Sequence, residues 1–234
     1  MRQATALETF RAAQPLQAER TYVLLVSIFL GVLLITNVIT VKYITIAKVT
    51  LTAGAITYPF TFSLIDIIAE LYGKKRAQLA VWMGLLVSLF MILIVQLASL
   101  LPTYSQSPIS QPVFQQVFGF TPGIVLGSMV AYLVAQFADI YLFDWFSRLT
   151  KHKYLWLRNN VSTFISQLLD TLIFGWIAWV GWPLLGINDA IAAIEWATWY
   201  PIVVNEYLFK LAFSVLNTPL VYLGVYAARF WTRP

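Results

Sequence analysis

The sequence predicts an all-α integral membrane protein with six transmembrane helices. Hydrophobic residues make up 60% of the chain and charged residues only 11%, which is too little charge for the surface of a soluble fold. The mean hydropathy is +0.76. Nine Trp, twelve Tyr and sixteen Phe add the aromatic side chains that anchor helices at membrane interfaces.

About 20 apolar residues in a helix cross the hydrocarbon of a bilayer, and this length divides the chain into six candidate helices. Five of them are expected at residues 22–41, 78–101, 122–146, 161–181 and 202–228. The second helix in chain order begins near Tyr58 and Pro59 and stops at Tyr72, which is short for a span. Residues 1–21 are expected to form a cytosolic N-terminal arm, and residues 22–230 a single transmembrane domain.

Three connections between these helices carry local signals. Between helices one and two, apolar residues alternate at positions 44, 46, 49 and 51, which favours a short external β-hairpin. Three prolines within residues 102–120 indicate an uncharged loop. A second loop is expected at residues 183–200, with a short interfacial helix at about 190–199.

The basic residues predict the orientation in the membrane, because Lys and Arg accumulate in cytosolic loops. Only Lys42 and Lys48 fall on the hairpin side, and Lys210 lies inside helix six. Both termini are therefore expected in the cytosol, and the net charge of +5 is a topology signal that needs no nucleic-acid partner. Membrane lipids are the expected surroundings of the spans. The basic residues on the cytosolic side are Arg2, Arg11, Arg20, Lys74, Lys75, Arg76, Arg148, Lys151, Lys153, Arg158, Arg229 and Arg233.

Three aspartates inside the predicted helices indicate a functional site, because an ionised group in the bilayer core costs at least about 2.5–3.5 kcal/mol. Asp66, Asp139 and Asp170 have no basic residue four positions away, and they are expected at one depth. Each follows a hydrogen-bonding side chain by three residues, which places the two on one helix face. These preceding residues are Ser63, Gln136 and Gln167. The pattern favours a solute or proton site, and the alternative is polar contact between helices.

Two further segments add polar positions to the predicted interior. Glu206 and Lys210 are four residues apart in helix six, where they either neutralise each other or separate to grip a ligand. Asn37 lies near the outer end of helix one. These residues extend the candidate site to the first and last spans.

A stripe of small residues recurs at every fourth position along helix four and lets another helix approach closely. The sequence leaves open whether the stripe forms a seam within the chain or the face of a homodimer. Its members are Gly119, Gly123, Gly127, Ala131 and Ala135.

Enzyme chemistry is not expected. The sequence contains no Walker motif, so the chain does not hydrolyse ATP itself. Its one histidine, His152, lies in a basic loop and it has no Cys, so neither an imidazole nor a thiolate metal site is expected in the membrane. No cofactor is expected.

The motif of helix two resembles that of a known family. Residues 58–60 read Tyr-Pro-Phe, and residues 66–76 read Asp-Ile-Ile-Ala-Glu-Leu-Tyr-Gly-Lys-Lys-Arg. Both are similar to the signature of the queuosine precursor transporter family, which is grouped with vitamin-uptake permeases. The resemblance continues through Gln136, Asp139 and Asp170 to Lys210, and it leaves out the N-terminal arm.

This resemblance implies a permease of the bacterial inner membrane that imports 7-deazaguanine compounds (queuine, preQ0 or preQ1) for tRNA modification. Carboxylates would accept the N–H donors of the guanine-like edge, amides would meet its carbonyl, and aromatic rings would stack on the base. The candidate substrate-binding residues are Asn37, Tyr58, Phe60, Asp66, Gln136, Asp139, Gln167, Asp170, Glu206 and Lys210. The alternatives are a binding subunit of a vitamin-type uptake system, a proton-coupled carrier of another small polar solute, and a membrane scaffold without transport.

Overall fold

The structure, a computed structural model, describes residues 2–150, 155–187 and 191–231. Within these ranges the structure describes the backbone alone at positions 2–18, 74, 136, 139–140, 143–144, 147, 155–160, 162–163, 215–218 and 228–231. In chain order the elements are α1 (Arg2–Ile39), β1 (Tyr43–Ile46), β2 (Val49–Thr52), α2 (Gly54–Tyr72), α3 (Lys74–Leu100), α4 (Gln111–Phe118), α5 (Thr121–Leu149), α6 (Leu155–Trp176), a π-helical turn (Ile177–Gly181), α7 (Trp182–Leu184) and α8 (Trp196–Trp231).

Five helical stretches are long and apolar enough to cross a membrane, and α8 makes a sixth when its two halves count as one span. The halves, Trp196–Ser214 and Pro219–Ala227, meet at 55°. Pro219 lies at this bend, where its ring removes a helix hydrogen bond. The prediction of an all-α membrane protein with six transmembrane helices is therefore confirmed. Helix α1 begins at Arg2, so the predicted N-terminal arm continues the first span as helix.

Strands β1 and β2 form the predicted hairpin between the first two spans, with Ile46 paired to Val49 across a two-residue turn. Both turn residues, Ala47 and Lys48, have positive φ angles of 49° and 70°. A type I′ turn requires this combination, and its twist matches that of the flanking strands. The prediction of a hairpin at this position is confirmed.

The second span is longer than expected. Helix α2 has 19 residues and passes through Pro59 instead of beginning beside it. Pro59 has no N–H to offer the carbonyl of Ala55, four residues earlier, and this removes one hydrogen bond without ending the helix. The expectation of a short, Pro-led segment was wrong because a proline in the second helical turn was taken for a boundary.

Both segments predicted as loops contain helix. In the first of them, α4 begins at Gln111 and carries Pro112 in its first turn, where a missing N–H has no helical partner to lose. In the second, residues 188–190 lie outside the described part of the chain, and α8 begins at Trp196 instead of Ile202. Residues 196–199 are thus the first turn of the sixth span, and the expectation of a separate interfacial helix was wrong.

The fourth predicted helix is α5 in the structure, and its small-residue stripe packs against other residues of the same chain. Gly123 faces the ring of Trp182, whose indole N–H donates to the carbonyl of Gly119 over 2.9 Å. Gly127 faces Ile177, the first residue of the π-helical turn. At these positions the stripe is a seam within one chain, which is the first of the two alternatives.

The π-helical turn places a large aromatic residue in the core beneath the hairpin. Trp179 is 1% exposed, and its ring lies 5.2 Å from that of Tyr43 in β1 and 5.4 Å from that of Phe120. Ile124 and Val203 complete this cluster from α5 and α8. The cluster fixes the end of the fifth span against the hairpin and against the start of the sixth.

Gly54 sets the distance between α1 and α2 at the start of the second span. A Cβ at this position would collide with the hydroxyl of Thr40 and lie 3.1 Å from the carbonyl of Thr36. Gly54→Ala is therefore expected to lower the free energy of unfolding by about 1–3 kcal/mol, the usual cost of overpacking. Thermal unfolding of the purified protein in detergent measures the change. Gly31→Ala is the matched control, because nothing lies within 4 Å of the added carbon, and an equal loss there would contradict this explanation.

Candidate functional site

A cavity with several polar lining residues lies where the hairpin meets the helix bundle. Its lining comes from α1, β2, α2, α5, α6 and α8. Its volume is about 40 Å³, counted as the space open to the centre of a water molecule, which is room for a few waters. Four serine and threonine side chains belong to the lining, those of Thr36, Thr40, Thr52 and Ser128.

Asp170 and Lys210 form a buried ion pair in this lining. The Lys210 ammonium donates to Asp170 Oδ2 over 2.7 Å and to the Thr171 hydroxyl over 3.2 Å. The side chain of Lys210 is 12% exposed and that of Asp170 is 8% exposed. Lys210 Nζ also lies 5.3 Å from the centroid of the Tyr58 ring. Asp170, which has no basic residue four positions away in its own helix, is thus paired across helices, from α6 to α8.

Glu206 faces the same cavity from α8, and it bonds to the hairpin. The N–H and the hydroxyl of Thr52 both donate to Glu206 Oε1, over 3.1 and 2.5 Å. Glu206 is 4% exposed, so these hydrogen bonds offset the cost of burying its carboxylate. Burial, and then the negative charge of Glu206, raise the pKa of the Tyr43 phenol in β1 above its ordinary value. Through its hydrogen bonds with Thr52, the Glu206 carboxylate joins β2 to the wall of the cavity.

Neutral groups complete the polar part of the lining. Asn37 Nδ2 donates to the Ser88 hydroxyl over 3.5 Å. The carbonyl of Ala55, another lining residue, lacks the helical donor that Pro59 cannot supply.

Two aromatic side chains, Tyr58 and Phe174, supply flat apolar surface to the cavity. Tyr58 is held edge-on against Phe62, with ring centroids 4.9 Å apart. Phe174 packs against the core cluster that contains Trp179. Flat apolar surface beside a few convergent polar groups is the usual composition of a small-molecule site.

The cavity brings together half of the ten predicted candidate residues, and they come from four different spans. The candidates that line it are Asn37, Tyr58, Asp170, Glu206 and Lys210. The side chains of Gln136 and Asp139 lie outside the described residues.

Three candidates are described and do not line the cavity. Phe60 is 46% exposed and its ring lies 5.9 Å from that of Phe213. Asp66 is exposed on α2, and Gln167 is partly buried on α6. An equal depth in the membrane had suggested that Asp66 and Asp170 share one site. Only Asp170 lines the cavity.

Sequence reasoning missed the hydroxyl residues of the lining. Thr36 lies in the last turn of α1, and Thr40 directly follows the helix. The two are four residues apart and flank Asn37, a spacing that predicts a shared polar face. Thr52 ends the predicted hairpin and had no comparable signal, because its partner Glu206 is 154 residues further along the chain.

A bundle of six apolar spans, five of which line a cavity that contains charged side chains, defines a multi-pass membrane transporter. Comparison with known proteins gives the family. Residues 52–224 match a family described as "Putative vitamin uptake transporter", and the chain belongs to this family. It is therefore a multi-pass protein of the bacterial inner membrane and not an enzyme.

Three curated relatives support this assignment and confirm the resemblance noted in the sequence. The chain is 35% identical to the "Probable queuosine precursor transporter" of Bacillus subtilis, over 80% of this chain and 76% of that protein. It is 28% identical to the "Queuosine precursor transporter" of Escherichia coli, over 70% and 68% of the two chains. A Haemophilus influenzae relative with the first of these names is 26% identical, over 70% and 64%. No solved structure matches the chain.

Proposed function

We propose that this chain imports a queuosine precursor of the 7-deazaguanine type across the inner membrane for tRNA modification. The observation that carries the proposal is the cavity, in which two buried carboxylates and two aromatic side chains line one space. The names of the curated relatives supply the substrate class. The distribution of basic residues supports an external hairpin and cytosolic termini, so import would proceed from the hairpin side.

The polar groups of the cavity match the edge of a guanine-like base. Such an edge presents two neighbouring N–H donors, and an ionised carboxylate is their strongest neutral-pH acceptor among side chains. Glu206 already accepts two donors on one oxygen. The Lys210 ammonium would donate to the carbonyl of the base, and the rings of Tyr58 and Phe174 would contact its flat surface.

The charge of the lining favours a cationic precursor. Asp170 and Glu206 contribute two negative charges and Lys210 one positive charge, which leaves a balance of −1 among the described lining residues. The aminomethyl group of preQ1 is a cation at neutral pH, whereas the nitrile of preQ0 is neutral. The proposed substrate is therefore preQ1 in preference to preQ0, since opposite charges attract strongly in a poorly hydrated site.

Rescue of tRNA modification tests the proposal. Bacteria that can neither make nor import the precursor are given low external concentrations of preQ0, preQ1 or queuine, and queuosine is measured in their tRNA. Expression of this chain is expected to restore queuosine, and an equally expressed protein that restores none with any precursor would overturn the proposal. Uptake by the purified protein in liposomes without an ATPase separates a carrier from the binding subunit of an ATP-driven system.

A further inference from the structure

Glu206 holds the hairpin and lines the cavity with the same carboxylate. One oxygen accepts both donors of Thr52. One residue earlier in α8, Asn205 Nδ2 donates to the carbonyl of Thr50 over 2.8 Å. The hydrogen bonds between β2 and α8 are therefore made by two consecutive residues of α8, Asn205 and Glu206. The turn end of the hairpin is exposed, with Ile46 55% exposed and Val49 41% exposed.

The cavity is too small for a two-ring base while the hairpin is held in this way. Its volume is about 40 Å³, whereas a cavity that binds benzene measures about 150 Å³. Among the elements that line it, β2 is the one that does not belong to a membrane-spanning helix. Binding a base is therefore expected to displace β2, and with it Thr52, from α8.

We infer that Thr52 and the substrate compete for the carboxylate of Glu206, so that Thr52 closes the hairpin over the empty cavity. This inference rests on the proposed function. In the empty carrier the N–H and the hydroxyl of Thr52 occupy Oε1 of Glu206, whereas the two neighbouring N–H donors of the base pair with both oxygens of a carboxylate and therefore need Oε1 as well. A bound base takes this oxygen and releases β2. When the base leaves, Thr52 returns to Glu206.

The competition makes the position of the hairpin depend on the contents of the cavity. A buried carboxylate without hydrogen-bond donors is costly. Glu206 is therefore bound either to Thr52 or to substrate, and the open, empty state that offers neither partner is disfavoured. Thr52 is in this sense a positioning residue, because it acts on the substrate through Glu206.

Thr52→Val tests the competition by the direction of its effect. Valine keeps the size of the side chain and the N–H but removes the hydroxyl donor. The variant is expected to bind preQ1 about tenfold more tightly, because losing one hydrogen bond to a charged group raises the fraction of carrier that is open to ligand. Equilibrium binding of radiolabelled preQ1 to the purified full chain measures this, and an unchanged or weaker affinity would overturn the inference.

Two further variants control for changes elsewhere in the hairpin. Thr52→Ser keeps both donors and is expected to bind as the unaltered chain does. Thr45→Val makes the same replacement on β1, where the hydroxyl is exposed and bonds to that of Thr50 over 3.2 Å. It is expected to leave the affinity unchanged, and a tenfold gain there would overturn the assignment to Thr52.

Hydrogen exchange at the backbone amides of residues 49–52 gives a readout that does not depend on transport. Saturating preQ1 is expected to speed exchange at Thr52, because its N–H loses Glu206, whereas a ligand that merely seals the cavity would slow it and overturn the inference. Thr52→Val is expected to exchange faster without ligand, and equal exchange would also overturn it. If the unaltered chain binds no deazaguanine, the proposed function fails. The comparison of exchange rates between Thr52→Val and the unaltered chain without ligand still tests whether Thr52 is hydrogen-bonded to Glu206.

Discussion

Asp170→Asn is expected to lower the uptake of a deazaguanine about 100-fold or more while the protein still reaches the membrane. The variant leaves the Lys210 ammonium, 12% exposed, without its carboxylate. Breaking one side of a buried ion pair costs about 3–5 kcal/mol. Asparagine has nearly the same shape and keeps an acceptor oxygen, so the loss comes from charge and not from packing. The initial uptake rate in cells with matched protein levels measures the effect.

A double variant separates a pair that binds substrate from a pair that only stabilises the fold. Asp170→Asn combined with Lys210→Gln leaves no unpaired charge at these two positions, and removing both members of a buried pair is often tolerated. Thermal stability is therefore expected to return towards that of the unaltered chain, while uptake remains low. Full recovery of uptake would contradict the assignment of this pair to substrate binding.

Glu206→Gln is expected to weaken the binding of preQ1 about 100-fold and that of preQ0 about tenfold. Glutamine keeps an acceptor oxygen but loses the charge that strengthens its hydrogen bonds, by about 1.5–3 kcal/mol for a bond to a charged group. The net charge of the described lining residues also changes from −1 to zero. The cationic precursor therefore loses more than the neutral one. Competition of each compound against radiolabelled preQ1 measures both affinities.

The control for this change is the same replacement at an exposed glutamate. Glu195 lies just before α8 and is exposed, so Glu195→Gln is expected to leave both affinities unchanged. Equal losses of preQ1 and preQ0 in Glu206→Gln would contradict the proposed preference for a cation.

The spans were predictable because apolar length has a direct physical meaning in a membrane. The segments predicted at 22–41 and 78–101 overlap α1 and α3 almost throughout. The hairpin was predictable from strand alternation. Two predictions based on proline were wrong, at Pro59 and at Pro112, because the effect of a proline depends on its place in a helix. In both places the helix accommodates the missing N–H.

The charged residues of the site were predictable because ionised groups in apolar helices need a reason. Their pairing was not. Asp170 and Lys210 are 40 residues apart, and spacing rules within one helix cannot connect them. The rotation of each helix about its own axis was equally unpredictable from the sequence. Asp66 and Asp170 occupy similar sequence patterns, yet only Asp170 lines the cavity.

The π-helical turn ties the working shape of the fifth span to the number of its residues. A π turn takes up about one residue more than an α turn. If the same residues formed a regular α-helix, everything after the turn would be rotated by about 100°, the step of one residue. Trp182 would then leave its position opposite Gly123 and lose the carbonyl of Gly119. The wide turn therefore keeps the end of the fifth span aligned with α5, and a change that favours regular α geometry here would disturb the carrier more than many exchanges of side chains.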